Sequence, residues 1–296
     1  MRITKACFRL LSVAMLGLSL VTGRAADLTD DLKQGSFVIG CQAYTFRFFS
    51  VMEAIEKTAH AGGKVIEFYP GQKFSKEEPN LKWDHNATEE MIAKVKAKLD
   101  EYKIKAVNYG VVHSYTQNPS EEEWRKVFEF AKKLDLYGIT TEAEKSIDTL
   151  EKLVKEYDIR VGFHEHRKNP DKPDYKLWDP NYVLALIKER DMRIGACADT
   201  GHWVRSGLKP TECLEILRGR VLSLHLKDLN EFGVPSAHDT PYGTGVSDVP
   251  GILDSLKDMG FTGHISVEYE YNWEHSVPEI GQCIGYVRGY GQARRW

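Results

Sequence analysis

From Ser36 to the C-terminus, short runs of β-branched and other apolar residues alternate with longer stretches whose apolar positions recur at helical spacing. This alternation predicts parallel β–α units. Eight strands are expected at residues 38–43, 65–68, 105–109, 139–142, 160–164, 194–199, 221–225 and 264–268. Helices are expected near 51–61, 88–101, 120–136, 146–156, 180–189, 210–217, 249–258 and 277–289. Thr88 and Ser120 each stand before acidic residues, as helix N-caps do when they satisfy free backbone N–H groups and oppose the helix dipole. Eight such units with no Ser- or Pro-rich linker predict one (β/α)8 TIM barrel, an α/β fold, spanning residues 26–296. Residues 168–179, with prolines at 170 and 173, read as a long loop after the fifth strand.

Side-chain alternation sharpens this expectation, because successive residues of a barrel strand face the interior and the helices in turn. In the last strand Ile265, Val267 and Tyr269 share one face, with His264, Ser266, Glu268 and Glu270 on the other. Strand seven sorts Leu222 and Leu224 against Val221, Ser223 and His225. Strand six sorts Ile194, Ala196 and Ala198 against Gly195, Cys197 and Asp199. The large apolar sets suit the helix layer, so the small and polar sets point inward. Their ionisable members fall at the strands' C-terminal ends, where barrel active sites are assembled.

The first 25 residues change the picture of the compartment. A basic start, an apolar run from Leu10 to Val21 and a small-residue pattern at Gly23–Ala25 read as a secretory signal cleaved near Ala25, with export to the periplasm or beyond. The apolar run is too short to span a bilayer comfortably, and no membrane span is expected in the remaining chain. The full chain carries 40 basic and 43 acidic residues, a net charge of -3. Without the segment the charge becomes -7, which opposes a groove that tracks nucleic acid. Beyond Cys7, the cysteines Cys41, Cys197, Cys213 and Cys283 contain no CxxC pair and read as buried free thiols.

Four inward strand-end residues carry the candidate chemistry: Glu142, Asp199, His225 and Glu268. Three carboxylates and an imidazole packed together repel unless something neutralises them, and a divalent cation does so. This ligand set suits Mn2+, Mg2+, Co2+ or Zn2+. Singly, each residue has a plainer reading: Asp199 as a helix cap, Glu142 as part of an acidic run with Glu144, and His225 as a core histidine. A shift of register exchanges Glu142 for Glu144, or Glu268 for Glu270.

The stretches Ala198–Trp203, Ser223–Asp228 and Val267–Glu270 resemble motifs of the xylose isomerase-like barrel family, over nearly the whole mature chain. The family includes ketose epimerases, inosose dehydratases and barrel endonucleases. The resemblance implies metal positions at Glu142, Asp199, His225 and Glu268, and a substrate contact at His202. It further implies proton transfer by Glu142 and Glu268, a small carbohydrate substrate, and self-association into a homo-oligomer. His164 and His166 depart from the epimerase pattern and resemble the dehydratases, so His164 is a candidate acid or base and His166 a substrate contact. Glu67, Lys227 and Trp203 are further substrate-binding candidates, and the rim aromatics Tyr44, Phe46, Tyr69, Tyr242 and Trp273 are candidate stacking surfaces.

The leading expectation is an exported, metal-dependent isomerase or epimerase that abstracts a proton α to a carbonyl. The alternatives are a dehydratase or lyase performing β-elimination on a keto-sugar or oxidised glycoside, and a sugar-binding protein without turnover. The turn Gly243-Thr244-Gly245 offers backbone N–H groups of the kind that bind phosphate, although a neutral sugar fits an exported enzyme better.

Overall fold

A computed structural model describes residues 28–113 and 117–296, so the expected export segment and Cys7 lie outside the described residues. Eight strands close into one parallel barrel. They are β1 (Phe37–Gln42), β2 (Val65–Phe68), β3 (Lys105–Val112), β4 (Gly138–Thr141), β5 (Arg160–His164), β6 (Ile194–Asp199), β7 (Val221–Leu226) and β8 (His264–Val267). Each pairs with the next, and β8 pairs back onto β1. The helices are α1 (Val51–His60), α2 (Glu89–Tyr102), α3 (Glu121–Lys133), α4 (Ile147–Tyr157), α5 (Pro180–Ile187), α6 (Thr200–Arg205), α7 (Pro210–Ile216), α8 (Val249–Asp258) and α9 (Val277–Ala293). The expected single (β/α)8 barrel is the observed fold.

Local chemistry explains the elements. Ser120 starts α3 with a reciprocal capping box to Glu123, and Trp124, Val127, Phe128 and Ala131 then recur on the buried face. Each large apolar side chain fully buried in this way contributes roughly 1.5–3 kcal/mol. Gly40 lets β1 and β2 approach, since a Cβ there would stand 1.7 Å from the Val65 carbonyl oxygen. Helix α6 departs from the expectation. Asp199 Oδ1 accepts the His202 N–H at 2.8 Å and starts it, but five of its six residues are buried, so it has no polar face to give a helical period.

The barrel is closed below and polar above. Lys33–Gln34, a strand not anticipated, pairs antiparallel with the start of β1 and brings Leu32 onto Val38, Val65, Val107 and Tyr137. Higher up, the inward positions form a hydrogen-bonded network. Glu67 Oε1 accepts from Asn108 Nδ2 at 2.9 Å, and Glu67 Oε2 accepts from Ser266 Oγ at 2.8 Å. Strands β4 and β8 stop at Thr141 and Val267, so Glu142 and Glu268 stand just past them at the mouth.

Candidate active site

Four consecutive strands, β5 to β8, bring His164, Asp199, His225 and Glu268 together, each offering one nitrogen or oxygen, all within 4.8 Å of one another. Register makes this possible: His225 pairs level with Asp199 on one side and Ser266 on the other. Each imidazole is held from behind by a carboxylate. Glu142 Oε1 lies 2.9 Å from His164 Nδ1, and Glu67 Oε2 lies 3.1 Å from His225 Nε2. Burial raises both glutamates' pKa, but the histidines outweigh it and hold both carboxyls well below their usual range.

The remaining nitrogens, His164 Nε2 and His225 Nδ1, are buried without a hydrogen-bond partner. His164 Nε2 faces Asp199 Oδ2 at 3.6 Å, and His225 Nδ1 faces Glu268 Oε2 at 3.2 Å. Two carboxylate-oriented imidazoles aiming unpartnered nitrogens at two further carboxylates have the donor chemistry of a divalent-cation site. A second group, Glu142, His164 and His166, adjoins it through His164. There Glu142 Oε1 meets His164, the His166 Nδ1 and the hydroxyl of Tyr175, which comes from the long loop after β5.

Lys227, just past the C-terminal end of β7, reaches into the cluster. Its ammonium lies 2.9 Å from Asp199 Oδ2 and 2.8 Å from both Glu268 Oε2 and Glu270 Oε2. Burial pulls its pKa down, but these three carboxylates outweigh that and hold it well above the usual lysine value. Arg205 supports Glu270 from the other side, its guanidinium 3.4 Å from Glu270 and from Asp239.

A cavity of about 340 Å³ opens over the cluster. Tyr44 and Tyr69 form one wall and His164, His166 and His202 another, with Glu268 and Glu270 also reaching it. The two tyrosines meet edge to face at 5.2 Å, and Trp273 packs against Tyr44 at 5.9 Å. Burial keeps the His202 pKa well below its usual value, hence neutral, and its Nδ1 has no partner. Such a wall combines apolar ring faces with a few convergent polar groups, the usual make-up of a small-molecule site.

Of the four residues expected at a metal, Asp199, His225 and Glu268 lie together with His164, while Glu142 stands behind His164 and His166. His166 and His202 reach the cavity. Glu67 does not: it is fully buried beneath His225 and orients it. Lys227 is likewise buried and does not line the cavity, and Trp203 is 1% exposed within the main apolar core, where α6 turns it inward. Of the rim aromatics, Phe46 and Tyr242 are buried, Tyr242 donating to the Leu226 carbonyl at 2.7 Å. Sequence reasoning missed Gln42, a cavity residue fixed by donation to the Gly110 carbonyl, and Tyr175, which no periodicity marks.

The glycine turn after β7 is already filled. Asp228 Oδ2 accepts the N–H groups of Gly243 at 2.9 Å and Gly245 at 3.0 Å, and its Oδ1 accepts that of Ser247 at 3.0 Å. The N–H groups that suggested a phosphate site bind the chain's own carboxylate.

A closed parallel barrel with its polar groups gathered at the C-terminal mouth has the layout of the (β/α)8 enzymes. Residues 138–287 match the xylose isomerase-like TIM barrel family, and the chain belongs to that family. No curated protein matches the sequence. Among solved structures, an uncharacterised protein from Parabacteroides distasonis is 28% identical, with 85% of this chain and 98% of that one covered and a TM-score of 0.67. A D-allulose 3-epimerase from Methylomonas sp. is 15% identical, with 90% and 100% covered and a TM-score of 0.68. A D-tagatose 3-epimerase-like protein is 16% identical, with 87% and 98% covered and a TM-score of 0.66. At 15–16% identity, the likeness to the latter two is one of fold.

Proposed function

We propose that this chain is a divalent-metal-dependent sugar isomerase or epimerase that removes the proton beside a substrate carbonyl and returns it. The observation that carries this reading is the pair of unpartnered, carboxylate-oriented nitrogens of His164 and His225, aimed at Asp199 and Glu268 under an open cavity. One structure of the Methylomonas epimerase is a complex with D-allulose, and a sugar of that size suits a cavity of about 340 Å³ with a tyrosine wall. A divalent ion held by His164, Asp199, His225 and Glu268 would polarise the carbonyl and lower the cost of the negative charge that deprotonation creates. Two imidazoles in the set favour Mn2+, Co2+ or Zn2+ over Mg2+, which prefers oxygen donors.

The chain's own residues divide the remaining work. Glu268 reaches the cavity and acts as one proton-transfer group. His166, held by Glu142 and lying three strands away around the rim, acts as the other. Glu142 is a positioning residue, since one of its oxygens already serves three partners. Neutral His202, whose ring lines the cavity, binds a sugar hydroxyl, and Tyr44 and Tyr69 stack on the sugar's apolar face. In this reading the enzyme acts after export on unphosphorylated sugar.

The test is incubation of Mn2+-loaded protein with ketohexoses in D2O. One deuterium is expected at the carbon beside the carbonyl, lost on chelation and restored by Mn2+. Loss of water or of a substituent in the mass spectrum would instead identify elimination. Sugar binding with no exchange at any metal loading would leave a binding protein and overturn the enzyme.

A further inference from the structure

We propose that Lys227 is a built-in second cation of this centre, which holds Asp199, Glu268 and Glu270 together without metal and keeps metal affinity low by sharing their oxygens. This rests on the metal reading above. Three ammonium protons meet three carboxylates at 2.8–2.9 Å, so the donors of Lys227 are fully used. Two of the acceptors, Asp199 Oδ2 and Glu268 Oε2, are the same atoms that face the unpartnered imidazole nitrogens. Asp199 has no free alternative, because its Oδ1 already accepts the His202 N–H. An ion bound by the four residues would therefore share Asp199 Oδ2 with the ammonium, and Glu268 Oε2 as well where it binds on the side facing His225.

The surroundings are shaped for this arrangement. Gly201 makes room for the lysine stem: a Cβ there would stand 2.6 Å from Lys227 Cδ. Thr200 Oγ1 fixes the lysine backbone by accepting its N–H at 2.9 Å. The side chain is fully buried and does not line the cavity, so it is a positioning residue and not a catalytic one. Glu270 lies outside the metal's four residues and serves as the ammonium's own counter-ion, steadied by Arg205. A fixed positive charge beside a dication in a dry site opposes metal binding strongly, so the acids can pack without metal and a bound ion remains exchangeable.

The test is Mn2+ titration of chelator-stripped protein by calorimetry, with thermal unfolding alongside. Lys227→Met is expected to bind Mn2+ at least about tenfold more tightly than wild type, and Glu270→Gln more weakly, the double variant returning toward wild type. Stripped Lys227→Met should melt lower than stripped wild type and gain more from Mn2+. Should that variant fail to fold when stripped but fold with Mn2+, the proposal stands equally. Unchanged or weaker Mn2+ binding by folded Lys227→Met, with wild type still binding, overturns the role of Lys227. If neither protein binds Mn2+, the metal reading itself falls and this one with it, whereas binding by the variant alone is the strongest support.

Discussion

Behind Arg205 the buried carboxyl of Asp239 lies at the edge of the charged network. Burial lifts its pKa to about 7, against the pull of Lys227 and Arg205. An unfolded aspartate titrates near ~3.9, so between about pH 4 and pH 7 the native chain holds a proton that the unfolded chain has lost. That difference makes stability fall as pH rises through this window. Asp239→Asn removes the titration, so its stability relative to wild type should rise by up to about 4 kcal/mol between pH 4 and pH 8. Urea unfolding at several pH values checks this. Parallel profiles for the two proteins would show that Asp239 does not titrate there.

Among the elements, the tightest constraint sits where β1 meets β2. Gly40→Ala places a methyl carbon against the Val65 carbonyl, which cannot yield without opening the sheet. The variant should lose more than about 3 kcal/mol, measured by denaturant unfolding; a smaller loss would mean that the barrel absorbs the shift. The strands themselves were legible in the sequence because period-two alternation survives burial on both sides, polar inside and aliphatic outside. The division of labour between Glu142 and His164 was not. Thr141 pairs with Phe163, so the two residues stand side by side at one height with the same inward parity, and what separates them is side-chain contact, Glu142 being taken up by His164, His166 and Tyr175. Depth was hidden in the same way for Glu67, since alternation tells the face of a strand but not how far a side chain lies below the mouth. Helix α6 left no periodic trace, and with it the burial of Trp203 went unread.

At the scale of the whole molecule, Cys41, Cys197, Cys213 and Cys283 are free and buried, in agreement with the reading from their spacing. Burial lifts the thiols of Cys41 and Cys213 to about 12, where thiolate chemistry is suppressed. A thiol reagent should find these four cysteines unreactive in the native protein and available only after denaturation. Rapid labelling without denaturant would show that the barrel opens locally. Among the described residues no helix is long and apolar enough to cross a membrane.

Asp228 closes the glycine turn to outside anions. By seating its own side chain in the backbone cradle after β7, the molecule uses up the amides that would otherwise have welcomed a phosphoryl ester. The isomerase or epimerase proposed above is thereby matched to sugars that no kinase has tagged.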